Sequence, residues 1–321
     1  MKSSKWLAAI VAAAVLAVGV AACGSSDDTT SSGSGGGGDL SGSIRIDGSS
    51  TVAPLTEVVA EQFMAENSGV RVTVGTSGTG GGFEKFCAGE TDISDASRAI
   101  EPEEEQACKK DGVGYEEVHI ATDALTVMIN NENPVSCLTV DQLAAIWGPD
   151  SKIDNWSDIP DVKEDFDEEL ALFGPGTDSG TFDYFTEAIN GEEGVSRTDY
   201  NNVGEDDNAT VKGVEGSPGG MGYAGFSFYT ENEGSLKALE VDNGEGCVPP
   251  SVETAQDGSY APLSRPLFMY PSEQALQKPE VKAFVEYYLE NVNSVAESLG
   301  FVPLTDEQLS ESEAAAEKAG V

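Results

Sequence analysis

Three short segments of the chain combine glycine with serine or threonine just before a predicted helix. They are residues 47–51, 75–82 and 174–181, and each follows a predicted strand. Glycine lets the backbone turn so that free N–H groups point outward. A helix N-terminus carries partial positive charge and unpaired donors, and hydroxyls add donors without formal charge. Any one segment also fits an ordinary turn, but three converging on one cleft would form a dehydrated oxyanion site.

The sequence around these segments alternates between strand-like and helix-like patterns. We predict strands at residues 43–46, 70–74, 124–129, 170–173, 221–228 and 266–270. Predicted helices begin near Pro54, at the capping box of residues 139–142, at Thr181, Pro279 and Val292, and at the capping residue Thr305. This alternation predicts an α/β fold with mostly parallel sheets. About 280 residues follow the N-terminal region, which is enough for two lobes.

The chain is strongly acidic, with 57 Asp and Glu against 17 Lys and Arg and a formal net charge of −40. Nucleic-acid binding requires a basic face, so this class of function is excluded. Docking onto anionic lipid is disfavoured for the same reason. We interpret the charge as a solvated acidic surface, with an acidic partner site as the alternative.

The N-terminus is typical of a bacterial lipoprotein. Lys2 and Lys5 precede an apolar run at residues 6–22, which ends in small residues before Cys23. We predict that residues 1–22 are a signal peptide and that Cys23 is lipidated. The Ser- and Gly-rich residues 23–42 then form a flexible tether. This predicts an extracytoplasmic protein held at the outer face of the membrane, with a simple N-terminal anchor helix as the alternative.

Four further cysteines predict two disulfides in an extracytoplasmic protein. Three pairings are possible. We favour Cys87–Cys108, whose members are close in sequence and flank one helical segment, together with Cys137–Cys247. Zinc binding is disfavoured because the chain has no C-x-x-C pair and its only histidine is His119. We therefore predict no metal site.

These features carry a family resemblance that runs from about residue 43 to residue 300. Its most specific parts are residues 48–51, the glycine run ending at Gly82, residues 91–98 and residues 178–181. The chain resembles the phosphate-binding lipoproteins of bacterial phosphate ABC importers, which have a type II periplasmic-binding-protein fold.

The resemblance implies a two-lobed α/β fold with two crossover hinge strands. Lobe 1 would hold residues 43–122 and 226–321, and lobe 2 would hold residues 123–225. Inorganic phosphate would close the interlobe cleft by hinge motion, and ABC permease subunits would receive it. We expect a monomer without cofactor or enzymatic activity, attached to the membrane only through its lipid.

The resemblance also implies which residues bind phosphate. These are Ser50, Thr51, Thr79, Ser179, Gly180 and Thr181, with Ser49, Ser77 and Ser97 as further candidates. The arginine usually found before the Ser-Gly-Thr triplet is replaced by Pro175, and the aspartate usually found after Ser97 is replaced by Arg98. We therefore expect Arg98 to supply the cation. Asp95 or Asp178 would accept the proton of phosphate.

Three other functions fit parts of the sequence. The first is binding of another oxyanion, such as sulfate, molybdate or tungstate. The second is a signalling or adhesion module that keeps the fold without transport. The third is a serine hydrolase, because residues 178–180 read Asp-Ser-Gly and His119 would complete a triad. The helix predicted from Thr181 disfavours this last function, since the proteases with that triplet are all-β.

Overall fold

The computed structural model of the protein describes residues 40–321. The predicted signal peptide, Cys23 and nearly all of the predicted tether lie outside the described residues. In the described part of the chain, no helix has the length and apolar character needed to cross a bilayer.

Twelve strands and ten α-helices alternate along the described chain. The strands are β1 (Ser41–Gly48), β2 (Gly69–Gly75), β3 (Ile93–Ala96), β4 (Val118–Asn130), β5 (Cys137–Thr139), β6 (Ala171–Gly174), β7 (Asn201–Asn202), β8 (Gly220–Gly225), β9 (Leu236–Ala238), β10 (Glu240–Asp242), β11 (Cys247–Val248) and β12 (Ser264–Pro271). The helices are α1 (Ala53–Glu66), α2 (Gly78–Cys87), α3 (Pro102–Asp111), α4 (Val140–Trp147), α5 (Gly180–Asn190), α6 (Asp207–Glu215), α7 (Phe226–Thr230), α8 (Val252–Gln256), α9 (Pro279–Ser298) and α10 (Asp306–Ala319).

Most strands belong to one sheet of order β2-β1-β3-β12-β4-β8-β6-β7, in which β9 also pairs with β4. At one end β1 runs parallel to β2 and β3, and at the other end β6 runs parallel to β7 and β8. The central strands β4 and β12 are antiparallel to their neighbours. The predicted α/β class is confirmed. The prediction of mostly parallel sheets is wrong, because parallel pairs are confined to the two ends of this sheet and every pair made by β4 and β12 is antiparallel.

The long strand β4 is shared between two lobes. It pairs with β12 as far as Ala124, which lies opposite Ser264, and from Leu125 onward it pairs with β8. The chain returns just before β12, where the Leu125 N–H donates a hydrogen bond to the Leu263 carbonyl at 2.9 Å. We call residues 40–124 and 264–321 lobe 1, and residues 125–263 lobe 2.

Each lobe has its own hydrophobic core, although β4 joins their strands into one sheet. In lobe 1, α1 and α9 meet through Phe63 and Phe284, whose ring centroids are 5.4 Å apart. In lobe 2, Phe185 stacks on Tyr223 at 3.7 Å. Burying an aromatic or aliphatic side chain of this size stabilises the fold by roughly 1.5–3 kcal/mol. Separate cores allow the lobes to keep their internal packing while the cleft between them changes.

Two disulfides stabilise the lobes, and they are the pairs that we favoured. Cys87 on α2 joins Cys108 on α3, with a Cα–Cα distance of 4.2 Å. Cys137 on β5 joins Cys247 on β11, with a Cα–Cα distance of 6.0 Å. Glu240 lies beside the second pair, but cysteines held in a disulfide offer no thiolate to a metal ion.

Two predicted elements differ from the structure. Residues 279–291 and 292–299 form the single helix α9, because its apolar positions continue at helical spacing through Tyr288, Val292 and Val295. Residues 226–230 form helix α7 instead of extending a strand. Aromatic residues favour strands, but Phe226 is buried in a small cluster with Val302.

The return from lobe 2 also lies later than residue 226. Strand β9 pairs with the second part of β4, and β10 pairs with β5. Leu239, Val241 and Leu263 are buried in the lobe 2 core. This packing keeps β9, β10 and Leu263 with lobe 2, whereas Phe226 and Ala255 also pack against Ala124 and Val302 of lobe 1. Strand β12 re-enters lobe 1.

Candidate ligand-binding cleft

A cavity of about 350 Å³ lies between the two lobes. Lobe 1 contributes residues from the ends of four elements: Ser49, Ser50, Thr51, Ser77, Gly78, Thr79, Gly80, Gly81, Ser97, Arg98 and Arg265. Lobe 2 contributes Asp183, Tyr184, Glu187 and Glu193. Most of the wall from lobe 1 therefore comes from two of the three segments that the sequence singled out.

The first segment connects β1 to α1. Gly48 has a φ of 150° and lies against the Asp95 carbonyl, so that a Cβ at this position would stand 2.0 Å from that oxygen. The Ser49 N–H donates to the same carbonyl at 2.9 Å, and the buried Ser49 hydroxyl accepts from the Thr51 N–H at 3.2 Å. Ser49 thus shapes the turn, while the exposed Ser50 lies on the cavity wall.

The second segment is not a free glycine loop, because α2 already begins at Gly78. The first N–H groups of a helix have no partner within it, and here they belong to residues on the cavity wall. Ser77 is engaged elsewhere, since its hydroxyl donates to Asp47 Oδ1 at 2.5 Å. The Thr79 hydroxyl lies 3.1 Å from that of Ser97 and accepts from the Ser97 N–H at 3.2 Å.

The third segment connects β6 to α5 and caps that helix. The Ser179 hydroxyl accepts from the Thr181 N–H at 3.3 Å. A Cβ on Gly180 would stand 3.7 Å from Thr51 Oγ1, so the N-terminus of α5 faces the first segment across the cleft. Asp178 is exposed and, like the predicted ligand residues Ser179, Gly180 and Thr181, lies outside the set of cavity residues.

Arg98 lies on the cavity wall, and its guanidinium pairs with two glutamates at the start of α3. Nη1 and Nη2 each donate to Glu104 at 2.8 Å, and Nε lies 3.3 Å from Glu101. The bonds to Glu104 raise the pKa of Arg98 above its usual value. The predicted cation is therefore at the cavity, but two carboxylates already neutralise part of its field.

A second cation, Arg265, was missed by the sequence analysis. Its guanidinium lies 3.6 Å over the Tyr184 ring and donates from Nη2 to Thr51 Oγ1 at 2.9 Å. Asp123 and Glu187 approach the same guanidinium at 3.3 Å and 3.7 Å. No local signal marks Arg265 in the sequence, because it reaches the cavity only through the long-range pairing of β12 with β4.

The two carboxylates predicted as proton acceptors do not line the cavity. Asp95 is buried behind the first segment, where its Oδ2 accepts from the Thr56 hydroxyl at 2.7 Å, and burial raises its pKa to about 7. The carboxylates on the cavity wall are Asp183, Glu187 and Glu193, and burial raises the pKa values of Asp183 and Glu193. Asp183 and Glu187 are spaced i, i+4 on α5. Residues with this spacing lie on the same face of a helix, so the sequence alone could have indicated that they act together.

This arrangement has the chemistry of an oxyanion receptor. The turn before α1, the N-terminus of α2 and several hydroxyls line a small polar space, and the N-terminus of α5 faces Thr51 beside it. Helix N-termini bind anions through free N–H groups and the helix dipole. None of the described residues that line the cavity is a histidine or a cysteine. His119 lies on β4 and uses its Nε2 for a 2.8 Å hydrogen bond with the Ala121 carbonyl.

Comparison with known proteins defines the class of this protein. Residues 26–292 match the family model of the PBP superfamily domain, and the chain belongs to this superfamily. It is 50% identical over 265 residues to Protein SphX of Synechococcus elongatus, covering 81% of this chain and 77% of that protein. It is 38% identical over 273 residues to the phosphate-binding protein PstS of Staphylococcus saprophyticus, covering 84% of this chain and 83% of that protein.

A solved structure of similar fold supports the assignment. The crystal structure of a possible phosphate binding protein from Planctomyces limnophilus has a TM-score of 0.84 and 42% sequence identity. The match covers 88% of this chain and 100% of that one. The fold predicted from the family resemblance is thereby confirmed.

Proposed function

We propose that this protein captures inorganic phosphate in the interlobe cleft and delivers it to an ABC permease. The observation that carries the proposal is a cavity lined by the turn before α1 and by the N-terminus of α2, with the N-terminus of α5 facing Thr51 across the cleft. Such a site satisfies phosphate oxygens with neutral donors. The similarity to PstS and to a possible phosphate binding protein supports the same ligand.

The proposed ligand contacts come from all three segments. They are Ser50, Thr51, Thr79, Ser179, Gly180 and Thr181, together with the guanidinium of Arg98. Ser49 and Ser97 support these contacts through hydrogen bonds to Thr51 and Thr79. Ser77 is committed to Asp47, so we assign it to positioning α2.

We propose Asp183 as the acceptor that favours phosphate over sulfate. It lies in the first turn of α5, close to the Ser179–Thr181 donors, and it is on the cavity wall. At neutral pH phosphate still carries a proton that a carboxylate accepts, whereas sulfate carries none. An unpaired charge in such a site costs roughly 1–3 kcal/mol, which is one to two decades of discrimination.

We further propose that the two lobes close on phosphate by a hinge at the two chain crossings. The crossings meet at the hydrogen bond between Leu125 and Leu263, and each lobe keeps its own core. The ligand adds contacts from both lobes only in the closed state, so it shifts the population toward closure.

The remaining features of the proposal concern location and partners. A lipid on Cys23 would hold the protein at the outer face of the membrane, and permease subunits would receive the phosphate. The protein would act as a monomeric binding protein and not as an enzyme. The acidic surface opposes phosphate at long range, so capture would depend on the short-range donors of the cleft.

Isothermal titration calorimetry with phosphate, sulfate and molybdate tests this function. We expect saturable binding of one phosphate per chain and binding of sulfate that is weaker by at least tenfold. Tight sulfate or molybdate binding without phosphate binding would instead assign the protein to another oxyanion.

A further inference from the structure

Arg265 lies at the junction of the two lobes. On β12 it lies opposite Asp123 of β4, one residue before the point where β4 passes to lobe 2. Its side chain is 15% exposed, and it touches Thr51 of lobe 1 and Tyr184 of lobe 2. One guanidinium therefore contacts both walls of the cleft and the strand that joins them.

The two carboxylates around Arg265 differ in how firmly they are held. Asp123 is 11% exposed and lies 3.3 Å from Nε, so it is a fixed partner. Glu187 is 55% exposed and lies 3.7 Å from Nη1, beyond ordinary hydrogen-bond length. Removing Asp123 would leave a buried cation uncompensated, whereas Glu187 can turn into solvent at little cost.

Arg98 offers less room for a new anion. Both of its terminal nitrogens donate to Glu104 at 2.8 Å, and Nη1 also donates to the Ala99 carbonyl at 3.1 Å. Glu104 is itself fixed as the N3 residue of the capping box that starts α3. Arg98 also pairs with the exposed Glu101, but through Nε at 3.3 Å, so both of its terminal nitrogens stay with Glu104. At Arg265 the exposed carboxylate of Glu187 faces a terminal nitrogen, Nη1.

We propose that Glu187 is a built-in competitor for the anion site, which pairs with Arg265 in the empty cleft and is displaced by phosphate. This inference rests on the proposed function. Phosphate oxygens would take the place of the Glu187 carboxylate at Nη1, while Asp123 and Tyr184 keep the guanidinium in position. Arg265 thus becomes a ligand-contacting cation from the junction of the lobes.

Glu187, as the competitor, lowers the affinity of the cleft for phosphate. An anion entering the site must separate Glu187 from Arg265 and then remain near the displaced carboxylate, so Glu187 weakens binding. The same carboxylate is positioned to return as phosphate leaves, which would favour release of phosphate to a permease. Glu187 is therefore an affinity-determining residue that acts through Arg265.

The variant Glu187→Gln tests the proposal, with Glu192→Gln as the matched control. Both variants remove one negative charge, but Glu192 is exposed and lies outside the set of cavity residues. In calorimetric titration with phosphate at low ionic strength, we expect Glu187→Gln to tighten binding roughly tenfold. We expect Glu192→Gln to stay within about twofold of the unmodified protein. Unchanged or weaker binding by Glu187→Gln would overturn the proposal, and weaker binding would make Glu187 a ligand.

A double-variant cycle tests whether Glu187 acts through Arg265. Arg265→Lys keeps the charge beside Asp123 but removes the planar fork, and we expect it to weaken phosphate binding by more than tenfold. In the Arg265→Lys background, Glu187→Gln should give less than a threefold gain. An undiminished tenfold gain would show that Glu187 acts as a general charge and would contradict the pairing.

These outcomes are separate from failure of the proposed function. If the unmodified protein does not bind phosphate, both ideas fail together. If it binds phosphate but Glu187→Gln has no effect, only the competitor is excluded. Circular dichroism of each variant establishes that it is folded. The exposed Glu187 variant remains decisive if Arg265→Lys does not fold.

Discussion

Gly82 lies so close to Gly48 that a Cβ atom on Gly82 would stand 2.5 Å from the Gly48 Cα. The same atom would approach the Ser94 hydroxyl to 3.0 Å and the Asp47 carbonyl to 3.1 Å. Helix α2 can therefore reach the end of β1 only because this position lacks a side chain. The glycine run serves packing at Gly82, while its earlier members line the cavity.

This contact predicts the effect of Gly82→Ala. The added methyl group meets backbone atoms that cannot move freely, so we expect the free energy of unfolding to fall by about 1–3 kcal/mol. Gly80→Ala is the matched control in the same helix, because the nearest atom to its Cβ lies 3.8 Å away. We expect the control to be unchanged or up to about 1 kcal/mol more stable in urea unfolding, because alanine favours a helix over glycine. Equal stability of the two variants would argue against the close packing.

Asp183→Asn should reduce the preference for phosphate over sulfate. The amide no longer repels sulfate, and it is a weaker acceptor for the proton of phosphate. The dissociation constant for sulfate divided by that for phosphate should therefore fall roughly tenfold or more. Asp178→Asn removes the same charge from an exposed position outside the cavity and should leave the ratio unchanged. A change with Asp178→Asn alone would restore Asp178 as the acceptor.

Asp95 predicts a pH dependence of stability. Burial raises its pKa to about 7, while Thr56 donates to it and the nearby Asp47 opposes its ionisation. Because the pKa of this carboxyl is higher in the folded state, its contribution stabilises that state fully at pH values below the ordinary pKa of 3.8. This contribution is lost as the pH rises through about 7.

The comparison of Asp95→Asn with the unmodified protein isolates this effect. Between pH 4 and pH 8, we expect the variant to gain on the order of 4 kcal/mol of unfolding free energy relative to the unmodified protein. Urea unfolding at several pH values measures the difference, in which contributions from the other acidic residues cancel. A difference that does not change with pH would mean that Asp95 is ionised throughout this range.

Arg98→Ala should weaken phosphate binding by about 2–4 kcal/mol, because it removes a cation from the wall and leaves Glu104 unpaired beside the cavity. Arg98→Lys should recover part of the loss, since lysine keeps the charge without the planar fork. Arg71→Ala, on the exposed side of β2, controls for net charge. Calorimetric titration of the three variants decides whether Arg98 contacts phosphate.

Local patterns in the sequence were sufficient for most elements of the fold. The capping boxes at Thr139 and Thr305 are present with both reciprocal hydrogen bonds. Two of the three glycine and hydroxyl segments lie before α1 and α5 as predicted, whereas the glycines of the second segment belong to α2, which begins at Gly78. These features depend on residues within a few positions of one another, so they can be predicted without knowledge of the tertiary structure.

The missed features depend on distant pairings. Arg265 contacts Thr51 across 214 residues, and it does so only because β12 aligns it opposite Asp123. Asp95 has the position of a strand-end ligand, but its side chain points to Thr56 in α1. Which side of a strand end faces the cleft depends on helix packing, and the local residue pattern does not contain that information.

The most direct test of the central claim is a crystal structure of the protein grown with phosphate. We predict one phosphate in the interlobe cleft, with its oxygens at hydrogen-bond distance, about 2.7–3.2 Å, from donors of all three segments. These donors are the hydroxyl or N–H groups of Ser50 and Thr51, of Thr79, and of Ser179 to Thr181. A phosphate held at another surface, or one that contacts a single segment while the cleft stays open, would contradict the account.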